Sequence, residues 1–369
     1  MRLRCLGLLT VLLVMQSALA ATATQATCQE YLATSPSPTD IPAVTGPGVA
    51  QRTSFLASGG KLVTIANRYY SVSIPAAFYT AANPIVIFDL HGTGGYPEAE
   101  WNDWHTAMEE RGVAFIALGW GGGAPGAAPD TEIYQHVKQI FQEVGAACPL
   151  SGATKWLMGF SVGSAMSFAV MIRDVADQRL FRGQIAVSGA SIGPLTTGRE
   201  VLHDTVEANR SNTRAVKGTL SWMYCGDKDL DHSWSMCTEM PLGQAFVNEH
   251  GGQATLYQDP NGEHHSLPAS SVPRNQMFDY LVAAPASTWV NIADTDCLFN
   301  AAEVAFPSLL TPKPAASLTA APFRYRYYTK TNSAIGVSMD DDRFYYLDSS
   351  GILTDLGMAA GFLDQLSCR

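Results

Sequence analysis

Residues 158–166 read MGFSVGSAM, a serine set between two glycines. The apolar run KWLM (155–158) leads into it, and SAMSFAVMIRDVADQ (164–178), apolar at helical spacing, leads out. A strand entering and a helix leaving is the setting in which G-x-S-x-G makes a sharp turn. The turn lifts the serine hydroxyl clear of the backbone, and the glycines let strand and helix pass closely. The pentad alone is not decisive, because the chain holds it twice, at Gly159 to Gly163 and at Gly189, Ser191 and Gly193. Ser191 exits into GPLTTG (193–198), a loop. Ser161 is therefore the candidate nucleophile, and Ser191 is read as a glycine turn.

The same theme extends on both sides. IVIFDL (85–90), VAFIAL (113–118), QIAV (184–187) and TLSWMY (219–224) are apolar runs of strand length, with ATLYQD (254–259) a further candidate. Continuous rather than alternating apolar runs predict strands covered on both faces. Helical patterns over 98–111 and in EIYQHVKQIFQEV (132–144) separate them. Strands alternating with helices predict an α/β sandwich with a mostly parallel sheet. KLVTI (61–65) and YYSVSIP (69–75) alternate in the manner of half-buried strands. Residues 29–60, rich in Pro, Ser, Thr and Gly, are read as an exposed lead-in.

Near residue 290 the texture changes. Residues 297–369 carry ten Phe or Tyr and alternating segments such as FRYRYY and FYYL, which predicts a small β-rich unit opened by one helix around NAAEVAF. Asp340 to Asp342 lack the spaced ligands of a calcium loop and are read as a solvated hairpin tip. The expected division is a leader at 1–20, a catalytic domain at 21–290 and an aromatic-rich domain at 291–369. The leader has Arg2 and Arg4, an apolar stretch and Ala18-Leu19-Ala20, the layout of a secretory signal peptide. It holds two of the 23 basic residues and none of the 33 acidic ones, so the remainder carries a net charge of −12. That surface repels phosphate backbones and anionic lipid, so neither nucleic acid nor a membrane is an expected partner. An exported monomer is expected. Six cysteines remain after the leader, an even set that fits disulfides; we pair Cys225 with Cys237 and Cys297 with Cys368.

A serine hydroxyl needs a histidine to take its proton and a carboxylate to hold that imidazole. In the strand-turn-helix setting the order along the chain is serine, acid, histidine. GDKDLD after TLSWMY offers Asp227, Asp229 and Asp231, with Asp229 placed first; NGEHHSLP offers His264 and His265, with His265 preferred and His264 in reserve. The oxyanion donors are expected in HGTGG (91–95), at the Thr93 amide, and at the Val162 amide after the nucleophile. Trp120 and Trp234 are candidate walls of the substrate cleft. Gly119, Gly121 and Ala124 imitate a dinucleotide fingerprint, but Pro125 and Pro129 forbid a helix there. No cofactor is expected, and Glu263, His264 and His265 lack a third ligand at metal-site spacing.

RYYSVSIP (68–75), IVIFDLHGTGG, KWLMGFSVGS, IAVSGAS, YCGDKD and GEHHSLP, taken in order over residues 55–280, resemble the secreted α/β-hydrolase group of feruloyl esterases and polyhydroxybutyrate-depolymerase-like esterases. The resemblance implies an α/β-hydrolase fold and a serine esterase acting on feruloylated or acetylated polysaccharides or on polyesters. In that group the acid lies three residues after a glycine, which falls on Asp229 from Gly226. The histidine lies three before a proline, which falls on His265 from Pro268. Leu267 stands where the group often has tryptophan. The tail resembles a short module at the ends of exported bacterial proteins. Acyl transfer through the same residues, or a catalytically silent adhesion protein, are the alternative functions.

Overall fold

A computed structural model describes residues 23–33, 41–122, 127–190, 200–229, 236–284, 292–314, 317–320, 323–338 and 342–359. The leader, Ser191, Asp231, Trp234 and Cys368 lie outside them.

The predicted runs all become strands: β1 (Lys61–Ile65), β2 (Arg68–Ser73), β3 (Ile85–Leu90), β4 (Val113–Gly119), β5 (Thr154–Phe160), β6 (Gly183–Val187), β7 (Leu220–Gly226) and β8 (Gln253–Asp259). They form one sheet in the order β1-β2-β4-β3-β5-β6-β7-β8. β2 runs antiparallel to β1 and β4, and every pairing from β4 to β8 is parallel. Because strand side chains alternate, β3 sends Val86, Phe88 and Leu90 to one core cluster and Ile85 and Ile87 to the other. The first cluster is completed by α4 (Asp130–Ala147), α5 (Val162–Ala176) and α7 (Met236–Glu249), the second by α3 (Pro97–Arg111) and α9 (Ser271–Ala283), with the single turn α8 (Ser266–Ala269) before it. Two apolar faces covered by helices explain why the strands read as unbroken apolar runs.

The lead-in is not merely exposed chain. It contains α1 (Gln25–Ala33) and α2 (Pro47–Ala57). Phe55 of α2 is fully buried edge-on against Trp101 of α3. Few apolar residues mark this helix, so tertiary packing overrides its composition. The stretch between β6 and β7 contributes α6 (Glu200–Ala208), docked on α5 and α4 where Arg173 and Thr205 both bond Asp130.

Cys225 pairs with Cys237, as expected, tying the end of β7 to α7; Cys28 pairs with Cys148, tying α1 to the end of α4. Cys297 is also disulfide-bonded, while its expected partner Cys368 lies outside the described residues. The Cys28–Cys148 link spans 120 residues, and closing a loop that long removes about 4–5 kcal/mol of unfolded-state entropy. Replacing both cysteines by serine is expected to lower Tm by roughly 10 °C. A melt that overlays the wild type would show that the bridge contributes nothing.

The C-terminal part forms a separate antiparallel sheet of β9 (Leu318–Ala320), β10 (Phe323–Tyr328), β11 (Ser333–Ser338), β12 (Arg343–Leu347) and β13 (Leu353–Met358), ordered β13-β12-β11-β10-β9. α10 (Ile292–Ala305) covers it, burying Leu298 and Phe299 against Tyr328, Ile335 and Phe344. Several of the tail aromatics are thus core, whereas Phe306 and Tyr327 are exposed. Asp342 is not a solvated tip: it is buried and pairs with Arg179 at 3.0 Å. Among the described residues no helix is long and apolar enough to cross a membrane.

Candidate active site

The strand register brings the carboxyl ends of β3, β5, β6 and β7 to one edge: Leu90 pairs with Gly159, Phe160 with Val187, and Val187 with Tyr224. Crevices at such an edge hold the sites of open parallel sheets. Ser161 stands there, between β5 and α5, with φ 54° and ψ −119°. A non-glycine residue in that region carries about 1–3 kcal/mol of strain. The surroundings impose it: the Ser161 amide donates to the Val187 carbonyl at 2.8 Å, and its carbonyl already accepts the Ala165 amide of α5. Gly163 cannot be replaced cheaply, because a Cβ there would enter the Leu90 carbonyl. The first turn of α5 therefore sits directly on the end of β3, which carries the HGTGG turn to the serine. A Cβ on Gly92 would stand 3.3 Å from that of Ser161.

The start of that turn is pinned through several backbone groups. The Trp120 indole N–H donates to the His91 carbonyl at 3.1 Å. The Gly92 carbonyl accepts both the Gly95 amide at 3.1 Å and the His91 ring Nδ1–H at 2.8 Å. Burial lowers the His91 imidazole to about 4 despite that carbonyl, so it is neutral and its proton sits on Nδ1. The Gly92 amide in turn donates to Glu100 Oε1 at 3.4 Å. In a planar trans peptide the N–H points opposite to the C=O. Fixing the Gly92 carbonyl therefore aims the Thr93 amide the other way, and Thr93 lies exposed at the turn. The Val162 amide, first in α5, has no intrahelical partner and lies at the positive end of the helix.

The eight-strand order with its antiparallel second strand, joined to a serine turned out between strand and helix, decides the architecture. The fold is that of an α/β-hydrolase. No family model and no curated protein matches this sequence. Among solved structures the chain is similar to an S-formylglutathione hydrolase from Agrobacterium tumefaciens, at 12% identity and a TM-score of 0.46, covering 61% of this chain and 95% of that one. It is similar to a ferulic acid esterase at 16% identity and a TM-score of 0.42, covering 58% and 97%. It is also similar to fungal esterases from Rhizomucor miehei at 12% identity and a TM-score of 0.46, covering 71% and 98%.

Of the three candidate carboxylates, Asp227 is exposed and Asp231 lies outside the described residues, while Asp229 is buried. Asp229 is held where its amide meets the Gly226 carbonyl, and the Lys228 amide bonds the Gly262 carbonyl, joining the acid loop to the histidine loop. The imidazole that meets Asp229 is His264, not the preferred His265: His264 Nδ1 donates to Asp229 Oδ2 at 2.7 Å, and His264 is only 9% exposed. That bond fixes the tautomer and leaves Nε2 as the proton acceptor. His265, at the mouth of α8, is exposed, with its ring 4.4 Å from that of Phe160. Phe160, the residue before the serine, also packs 4.9 Å from the His264 ring, so both imidazoles flank the elbow. The proline spacing does not separate neighbours whose side chains leave an irregular turn in different directions.

Trp120 is fully buried, so it is no wall of the cleft; its indole N–H holds the HGTGG turn through the His91 carbonyl. Trp234 lies outside the described residues. The open space beside the turn is a cleft of about 360 Å³ lined by Pro42, Arg68, Tyr69, His91, Gly95 and Tyr96. Two buried carboxyls, Asp89 and Glu100, were missed by sequence reasoning. The signal for the first was present: an aspartate inside the otherwise apolar IVIFDL. Among the described residues no cluster of His, Cys, Asp or Glu could hold a metal ion.

Proposed function

We propose that the protein is an exported serine ester hydrolase in which Ser161, His264 and Asp229 act together. The observation that carries this reading is the bond from His264 to a buried Asp229, beside a serine held at positive φ. Ser161 Oγ attacks the ester carbonyl carbon while His264 Nε2 takes its proton, and Asp229 stabilises the imidazolium. The developing oxyanion is received by the Thr93 and Val162 amides, donors of a kind worth about 3–4 kcal/mol each. Collapse breaks the C–O bond, and His264 returns its proton to the leaving alcohol. Water, deprotonated by the same imidazole, then releases the acid and restores the serine.

The cleft of about 360 Å³ is within the range that holds a small organic group. The sequence resemblance to feruloyl and polyester esterases supports esters attached to polymers as substrates. Export is supported by the leader and by disulfides that persist in oxidising compartments. Purified protein is expected to hydrolyse a short-chain nitrophenyl ester and to be labelled at Ser161, one-to-one, by a fluorophosphonate. Absence of both turnover and label would discard the reading. Product analysis over methyl ferulate, acetylated xylan, polyhydroxybutyrate and an aromatic polyester then identifies the acyl class.

A further inference from the structure

Three carboxyls gather on the protein side of the oxyanion turn. Asp89 of β3 is fully buried, and neither of its oxygens has a hydrogen-bond partner. Glu100 of α3 is 8% exposed and accepts the Gly92 amide. Asp103, one helical turn further on, lines a crevice together with Glu100, Trp104, Phe160 and His265. The crevice holds about 10 Å³, room for one water at most, so these groups are not there to bind a ligand.

We propose that Glu100 is a positioning residue that holds the oxyanion turn through the Gly92 amide in its neutral form, so that its ionisation suppresses ester cleavage. The proposal rests on the esterase reading above. Geometry supplies the first half. The Gly92 amide is one peptide from the Thr93 amide, so its acceptor helps set the plane in which Thr93 N–H points. Electrostatics supplies the second. A negative charge one peptide from the donor that must receive an oxyanion opposes charge development there, and water screens a side chain as buried as Glu100 only weakly.

The carboxyls facing Glu100 favour its neutral form. Asp89 faces it from β3 and Asp103 from its own helix; His265, from the loop before α8, and His105 stand beyond Asp103, and neutral His91 lies across the Gly92 peptide. Burial, and then the Asp103 charge, push the Glu100 carboxyl up to about 8, outweighing the Gly92 amide, whose donation favours the carboxylate. Burial and Glu100 push Asp89 well above the usual carboxylate range. Burial raises Asp103 as well, with His265 and then His105 opposing.

The test is the pH dependence of kcat/KM for a nitrophenyl ester in four proteins. Wild type is expected to fall about tenfold through an inflection near pH 8. Glu100→Gln, which keeps an acceptor but cannot ionise, should lose that inflection. Asp103→Asn removes a charge that raises Glu100, so its inflection should move to lower pH. Glu100→Leu, lacking the acceptor, should lower kcat about tenfold at every pH with KM little changed, and Glu100→Gln should recover most of that loss. Stability gives an independent reading. An unfolded glutamate titrates near ~4.3 and the folded one near about 8, so between these values the folded state holds the extra proton. Wild-type stability should then fall as pH rises through that window, and the Tm advantage of Glu100→Gln should grow from pH 5 to 8 and level off above it. Superimposable activity profiles for wild type and Glu100→Gln, or a Tm difference that does not vary with pH, would overturn the proposal while leaving the esterase reading intact. A wild-type protein that turns over no ester would overturn both.

Discussion

Ser161→Ala is expected to lower kcat/KM for a nitrophenyl ester by about 10⁵-fold, because removing one member of a serine triad costs nearly as much as removing all three. What survives should be the contribution of the oxyanion amides and substrate binding, about 10³–10⁴ over water. Stability should not follow activity. Ser161 sits at φ 54°, and alanine keeps the same Cβ and hence the same strain. Ser161→Gly removes it. The relief, about 1–3 kcal/mol, exceeds the ~0.4–1 kcal/mol that glycine adds to unfolded-chain entropy. The glycine variant should therefore be inactive and at least as stable as the wild type. Rates and melts on the two variants check this; an alanine variant within tenfold of wild type would remove Ser161 from the chemistry.

The second large effect separates two adjacent histidines. His264→Gln should reduce kcat/KM by about 10⁴-fold or more, and Asp229→Asn by about 10⁴-fold through loss of the correct tautomer. His265→Ala should stay within about tenfold, since its ring is exposed and the imidazole bonded to Asp229 is its neighbour. Glutamine at 264 keeps a donor for the buried Asp229, whereas alanine would leave that carboxylate short of one and cost a further ~1–3 kcal/mol of stability. The opposite ranking, with His265 essential and His264 dispensable, would mean that the Asp229–His264 bond is structural and that the acid lies elsewhere.

The parallel centre of the sheet was legible because its inner strands are continuous apolar runs, the pattern of strands covered on both faces. The sharp turn at Ser161 was legible because Gly163 answers a local demand: α5 starts against the Leu90 carbonyl and admits no Cβ. Asp229 and the Cys225–Cys237 pair were legible because both lie within a few residues of a strand end whose position the sheet imposes. By contrast α2 was hidden, since it is held by tertiary contacts, Phe55 on Trp101 and Arg52 on Glu98 among them, rather than by its own composition.

What the amino-acid sequence determined by itself is therefore the layered sheet, the turn at Ser161 and the loops that carry Asp229 and His264, because these follow from periodicity and from short-range steric limits. Only the tertiary structure decided that His264 rather than His265 meets Asp229, that Trp120 braces the HGTGG turn instead of walling the cleft, and that Asp89 and Glu100 lie buried beside it. Each of those facts depends on the direction of a side chain leaving an irregular turn, or on which distant group it meets across the fold. Local pattern carries no information about either.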